Sequence, residues 1–291
     1  MASFPAASPD QRPLSTKSGR VKTARKLARR RSRVEHALFL AEGAKALTEA
    51  LHAGGVVEVF ATEAATEQYA ALRKAVDDAG TPWLLADDDA VASLSGAVTP
   101  QGIVSVCRFL DVPLDAVLTP SVVEERAQAS VSKPRTVVVC ADVRDPGNAG
   151  TVIRCADASG ADGVVLAGTS VDPFNDKTVR ATVGSLWHLP LALHDHPAEV
   201  VDRAHAAGFV VLAADGAGEI DLFEAESSGL LHGRIAWLLG NEAWGLPEDL
   251  AALADHRVSI PIFGRAESLN LASAAAVCLY ASARARDRNS G

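Results

Sequence analysis

In this chain of 291 residues, three short polar stretches hold nearly all the side chains that could grip a ligand, phosphate among the candidates. The first, Asp142–Ala158 (DVRDPGNAGTVIRCADA), contains Asn148 and Arg154. Asp145-Pro146-Gly147 is turn chemistry and Asn148 a good N-cap, so a helix is expected after Asn148. On that helix Gly150 lies one turn before Arg154, which lets a bulky group approach the backbone while a guanidinium holds it. Phosphate suits such a site; the alternative is an Arg154 that only pairs with a neighbouring helix. The second stretch, Trp237–Pro247 (WLLGNEAWGLP), sets Asn241 and Glu242 between Gly240 and Gly245. Two glycines around an acid allow close backbone approach to a ligand. Pro247 is expected at a helix N1 position, with Glu248 and Asp249 at the positive helix end. In the third, Ile260–Tyr280 (IPIFGRAESLNLASAAAVCLY), Pro261 belongs near a strand end. Ser268 is the expected N-cap there, with Asn270 in the first turn among unpaired N–H groups. The two are either site residues or simply the caps of a core helix.

Alternating strands and helices must present these stretches. From Arg135 onward apolar runs alternate with helical patterns: Thr136–Cys140, a helix after Asn148, Gly163–Leu166, a helix within Pro173–Leu186, and Leu189–Leu193. Then come Ala198–Ala207 as a helix, the strands Phe209–Ala213, Ile235–Leu239 and Val258–Ile262, and a long final helix. That order predicts an α/β doubly wound, mostly parallel sheet with helices on both faces. Ligands of such sheets sit beyond the carboxyl ends of the strands, where all three stretches fall. Ahead of it, helical periodicity begins in a basic run and continues through Val34–Leu51, with Leu38, Leu47 and Leu51 on one buried face. Val56–Phe60, Trp83–Leu85 and Ile103–Phe109 read as strands, Thr62–Ala79 and Asp87–Leu94 as helices. The expected organisation is a disordered tail at 1–18, a small α/β domain at 19–110, a proline-bearing linker at 111–134 and the larger domain at 135–291.

A hydrophobic content of 48% is ample for two cores. No apolar run approaches the roughly 18 residues of a membrane span. The opening MASFPAASPDQRP lacks the apolar segment of a signal peptide, so a cytoplasmic protein is expected. Cys107, Cys140, Cys155 and Cys278 are widely separated and form no C-x-x-C pair, which suggests neither a disulfide framework nor a zinc site. Net charge is −8, yet Arg12 to Arg33 holds ten Lys or Arg and no acid. An acidic body with a basic arm is the asymmetry of a chain whose one end meets a polyanion. Lys22, Arg25, Lys26, Arg29, Arg30, Arg31 and Arg33 are the candidates for that contact.

Two other patterns compete. Phe209–Asp221 (FVVLAADGAGEID) supplies a strand, an acid and two glycines, but lacks the third glycine of G-x-G-x-x-G and makes a poor dinucleotide fingerprint. His194-Asp195-His196, followed by Pro197, has no third metal ligand and reads as a solvated turn.

Taken together, GNAGTVIRCADASGADGVVL, LLGNEAWGLP and IPIFGRAESLNLASAAAVCLY resemble, in order and spacing, the three signature motifs of the SpoU/TrmH family of RNA ribose 2′-O-methyltransferases in the SPOUT superfamily. The resemblance runs from about Arg135 to the C-terminus. More weakly, ALFLAEGAKALTEAL and TPQGIVSV resemble the family's ribosomal-protein-like substrate-binding domain. It implies a trefoil knot at the C-terminal end of the sheet, an exception to the rule that chains do not thread loops. It further implies a homodimer, and methyl transfer from S-adenosylmethionine to a ribose 2′-hydroxyl of structured RNA, without a metal. Ribosomal RNA is the preferred substrate; transfer RNA, or a non-catalytic RNA-binding role of the same fold, is the alternative. Carried over by position, Asn148, Arg154, Glu242, Ser268 and Asn270 are catalytic or RNA-positioning. The cofactor pocket is implied to involve Ala213, Gly216, Gly240, Asn241, Glu242 and Gly245, with Ile260, Ile262, Ser268 and Leu269. Arginine keeps its proton to a pKa above about 12. Positioning phosphate and stabilising alkoxide charge is therefore the role expected of Arg154.

Overall fold

The computed structural model describes residues 12–119 and 135–288, which fall into two compact units. One joins the chain up to Leu110 with the segment Asp172–Trp187; the other holds the remainder.

In the first unit, β1 (Leu38–Glu42), β2 (Val56–Ala61), β3 (Trp83–Leu85) and β4 (Ile103–Arg108) form a sheet in the order β1-β4-β2-β3. Of its neighbouring pairs β2–β3 is parallel and the other two, both with β4, are antiparallel. Successive side chains of a strand face opposite ways. Val104 and Val106 of β4 accordingly join Val21, Leu27 and Leu40 in one core cluster, and Ile103 joins Leu47, Val59 and Val76 in another. The continuous helical pattern expected through Val34–Leu51 is corrected here. The helix Arg30–His36 stops at Ala37, which sits in the left-handed region at φ 51°. Leu38–Glu42 is then a strand, and a helix resumes at Ala44–His52. A short apolar run fits either periodicity, and the partner strand β4 decides it. The helix expected over Thr62–Ala79 is two, Glu63–Gln68 and Ala70–Asp78, the first capped by the Thr62 hydroxyl. Residues 12–18 are ordered: Leu14 donates its N–H to Leu85 O and accepts from Asp87 N–H, and its side chain packs on the core. Residues 1–11 lie outside the described ones.

Asp172–Trp187, expected in the second domain, is anchored in the first unit by rings and an ion pair. Phe174 stacks on Phe109 with centroids 4.0 Å apart and lies 5.0 Å from Phe39. Arg33, expected to face RNA, is only 5% exposed. Its Nε and Nη2 donate to Asp172 Oδ2 at 2.9 and 2.6 Å, and its Nη1 to the carbonyls of Leu27 and Ala28. Arg33 is therefore a structural residue.

The second unit is built on seven parallel strands: β5 (Thr136–Ala141), β6 (Gly163–Ala167), β7 (Leu191–His194), β8 (Val210–Ala214), β9 (Ile220–Asp221), β10 (Ile235–Leu239) and β11 (His256–Ser259). Their order is β7-β6-β5-β10-β8-β11-β9. β5, β6 and β10 are buried along their whole length, hence their uninterrupted apolar sequence. Against one face pack Val117 and Leu118 of the helix Leu114–Leu118 and Val200, Val201 and Ala204 of Pro197–Ala206. Against the other lies the helix Leu271–Arg288, whose Ser282 Oγ accepts from the buried Trp237 indole at 2.9 Å. Residues 111–119, expected in a linker, belong to this core, with Leu114 and Val117 buried; the rest of that stretch, 120–134, lies outside the described residues. The final strand ends at Ser259, ahead of the expected Ile262, leaving Pro261 in the loop. Unforeseen are β9 and the helix Leu222–Ser227, capped by Asp221. The strand order puts β5, β10, β8 and β11 side by side, so the loops leaving their carboxyl ends are neighbours. Among the described residues no helix is long and apolar enough to cross a membrane.

Candidate active site

The loop leaving β10 is shaped by backbone. A Cβ at Gly240 would lie 2.5 Å from Leu246 N and nearer still to the Gly245 carbonyl, so glycine is required. Asn241 and Gly245 exchange both backbone hydrogen bonds at 2.9 Å, and Gly245 takes φ +71° to close the turn. The Asn241 side chain is buried, donating from Nδ2 to Asp142 O at 2.6 Å and accepting from Ala243 N–H at 2.8 Å. It thereby ties the β10 loop to the β5 loop. Asp142 is held at φ 56° while its Oδ1 accepts from Thr169 N–H and Oγ1, at 2.6 and 2.7 Å.

From this tie Glu242 reaches the start of the helix Pro146–Ala158. It accepts from Arg144 N–H at 3.2 Å, Asp145 N–H at 3.0 Å and Asn148 Nδ2 at 3.3 Å. A carboxylate there meets unpaired N–H groups and the positive helix end. The helix starts earlier than expected: Pro146 occupies its first turn and Asp145 caps it, accepting from Asn148 N–H at 2.8 Å. Asn148 therefore lies in the first turn, with its side chain free to bridge. Its Oδ1 accepts from Asn270 Nδ2 at 3.0 Å. Asn270, not Ser268, caps the helix Leu271–Arg288, since its Oδ1 accepts from Ala272 N–H and its carbonyl from Ala274 N–H. Pro247 likewise sits at the N-cap of Glu248–Ala251, one position ahead of the N1 expected.

Glu242, Asn148 and Asn270 thus form one hydrogen-bonded run across three loops. Ser268 and Arg154 stand outside it. Arg154 is exposed, without a hydrogen-bond or ion-pair partner among the described residues. Gly150, expected to leave room beside it, is buried within the fold and offers no approach to backbone.

Next to the run opens a cavity of about 370 Å³, within the size range of small-molecule sites. It is lined by the expected Gly216, Gly240, Asn241, Glu242, Gly245, Ile260, Ile262, Ser268 and Leu269. Ala213 is the exception: it is fully buried, and Ala214 lines the cavity instead, because successive strand side chains point oppositely. Two carboxylates that sequence reasoning left unassigned, Asp215 and Glu267, join Glu242 in the wall. Their only signal was position, each in a loop beyond a strand. Gly218, the second glycine of the GAG loop, serves packing: a Cβ there would meet Arg257 O at 2.6 Å. Burial, and then the charge of Glu242, push the Cys140 thiol up to about 12, so it stays protonated.

In the first unit, Lys22, Arg25, Lys26, Arg29, Arg30 and Arg31 are exposed and have no ion-pair partner among the described residues. Val21, Ala24 and Leu27 form the buried face of the same helical run. Arg20 is pinned instead to the buried Glu58 at 2.7 Å.

Residues 135–280 match the SpoU rRNA Methylase family, and residues 19–105 match the MRM3-like substrate binding domain. The chain is 32% identical to the 23S rRNA (guanosine(2553)-2′-O)-methyltransferase RlmP of Bacillus subtilis, over 91% of this chain and 96% of that one. Its structure is similar to that of an AdoMet-bound rRNA methyltransferase from Sinorhizobium meliloti, with TM-score 0.77 and 31% identity over 93% of this chain and 96% of the other. It also resembles the SpoU methyltransferase AviRb from Streptomyces viridochromogenes in complex with AdoMet, with TM-score 0.79 and 29% identity over 94% and 100% of the two chains. The loops, the cavity and these likenesses agree: the chain belongs to the SpoU rRNA methylase family.

Proposed function

We propose that this protein transfers the methyl group of S-adenosylmethionine to a ribose 2′-hydroxyl of large-subunit ribosomal RNA. The observation that carries this reading is the run Glu242–Asn148–Asn270 set against a glycine-walled cavity. The cavity fits the cofactor by donor chemistry: Asp215, Glu242 and Glu267 suit a sulfonium cation, while Leu239, Val258, Ile260 and Leu269 suit an adenine ring. S-adenosylmethionine, when bound, supplies a methyl group already activated for in-line displacement. The chain's own residues then orient the hydroxyl. Asn148 and Asn270 offer amide groups whose directions are fixed by Glu242 and by the helix cap. Arg154, exposed and without an ion-pair partner among the described residues, holds an RNA phosphate and stabilises charge developing on the ribose oxygen. Holding two reactants in attack geometry contributes up to roughly 7–11 kcal/mol in favourable systems. The requirement for a 2′-hydroxyl separates RNA from DNA. The exposed bases of residues 22–31 draw in the polyanion. A knotted sheet, a homodimer and a cytoplasmic setting belong to the same proposal, supported by the family relationship.

The test is incubation of the purified protein with total RNA and methyl-labelled S-adenosylmethionine, followed by size separation and mapping of alkali-resistant ribose positions. Label at one 2′-O position of large-subunit RNA is the expected outcome. Label confined to transfer RNA overturns the substrate; no label in any RNA or in partly assembled ribosomal subunits overturns the reaction.

A further inference from the structure

We infer that Trp244 and Arg144 form a stacking platform for an unpaired nucleobase of the RNA, and so present the adjoining ribose to Asn148 and Glu242. This rests on the RNA methyltransferase reading above. The chain has four tryptophans. Trp237 is wholly buried, and Trp83 and Trp187 are half-buried, whereas Trp244 is 55% exposed. Its position contributes little to a core, yet the loop that carries it is tightly built. Glu242, Ala243 and Gly245 beside it line the cavity, and the paired Asn241–Gly245 backbone bonds fix the turn. Arg144 places its guanidinium 5.1 Å from the Trp244 ring centroid. That guanidinium is itself held, with Nη2 donating to Thr169 Oγ1 at 3.1 Å, and the Arg144 N–H donates to Glu242. A preset cation–aromatic pair thus adjoins the carboxylate that organises the site.

An indole face and an arginine plane are the two surfaces on which unstacked RNA bases are held. A ribose whose hydroxyl must reach a walled cavity has to leave its helical stack, and its base then needs a new stacking partner. Trp244 offers one at the same loop. Every base has a π-face, so the platform sets geometry and leaves base identity to other contacts.

Steady-state methyl transfer to total ribosomal RNA by Trp244→Ala, Trp244→Phe and Arg144→Ala tests the idea. Base–aromatic stacking predicts a KM for RNA raised about tenfold or more in Trp244→Ala, with most of it recovered in Trp244→Phe. Binding of S-adenosylhomocysteine by calorimetry should change less than about twofold, because the Trp244 side chain is outside the cavity. Arg144→Ala keeps the backbone donor to Glu242 and should raise KM by less. RNA should quench the part of the wild-type emission that is missing in Trp244→Phe, and should leave the emission of Trp244→Phe itself unquenched. Wild-type KM in Trp244→Ala, an unquenched Trp244, or a sedimentation change showing Trp244 to be a subunit contact overturns the platform. If the wild-type protein transfers no methyl at all, the parent reading falls, and the quench by RNA still decides whether Trp244 meets a base.

Discussion

Asn270 caps a helix with Oδ1 and holds Asn148 with Nδ2, so cap and site residue are one side chain here. In the sequence these stood as alternatives, and two good capping residues two positions apart left the choice to a contact 122 residues away. The same limit applies to Ala213 and Ala214: a one-residue shift on a strand exchanges core for cavity, and only the sheet's registration fixes it. Glu242 was legible because glycines bracket it, whereas its three donors come from residues nearly a hundred positions earlier. Arg154 differs from all of these in having no partner among the described residues. If it serves an RNA phosphate, Arg154→Ala should lower kcat by about 10² to 10³, the usual loss of one transition-state donor. S-adenosylhomocysteine binding should be unchanged, since Arg154 does not line the cavity. Arg154→Lys should restore little, a point charge being a poor substitute for a planar fork. Wild-type turnover of labelled methyl by Arg154→Ala would remove Arg154 from the mechanism.

Elements buried on both faces announced themselves. β5, β6 and β10 are continuous apolar runs because helices cover both sides, and their ends were readable to within a residue. β1 was not, since Leu38–Glu42 satisfies a helical period until β4 pairs with it. β9 is two residues long, too short for any period to show. The β10 loop depends on backbone contact more than on side chains, which makes Gly240 the sharpest test of the element. Its added methyl would face the Gly245 carbonyl and Leu246 N, neither of which can swing aside as a flexible side chain can. Gly240→Ala should therefore cost roughly 1–3 kcal/mol of stability by overpacking. It should also weaken S-adenosylhomocysteine binding, because Gly240, Asn241 and Gly245 all line the cavity. Thermal melts and calorimetry measure the two effects. A variant with wild-type melting and affinity would mean that the Gly245–Leu246 backbone yields to the added methyl at no cost, and that close packing does not make glycine necessary here.

At the scale of the whole molecule, charge was the most legible property and long-range packing the least. The basic run stands out against a net charge of −8 by composition alone. The membership of Asp172–Trp187 in the first unit depends on Phe174 meeting Phe109 and Arg33 meeting Asp172, contacts that no local pattern encodes. Arg33 shows the consequence, because sequence cannot separate it from its exposed neighbours. Replacing Lys22, Arg25, Lys26, Arg29, Arg30 and Arg31 by Gln should weaken RNA binding and lower the slope of log K against log salt by up to about 4, at roughly 0.7 per lost contact to single-stranded RNA. Folding should survive, as none of the six forms an ion pair among the described residues. Arg33→Ala should do the reverse. Its guanidinium and the Asp172 carboxylate are nearly buried together, so removing one partner strands the other and costs about 3–5 kcal/mol. Melting temperature should fall while the salt slope of the folded protein stays at the wild-type value. A salt slope lowered by Arg33→Ala alone would show that its pairing with Asp172 opens on RNA, and an unchanged slope in the six-fold variant would take the arm out of RNA binding altogether.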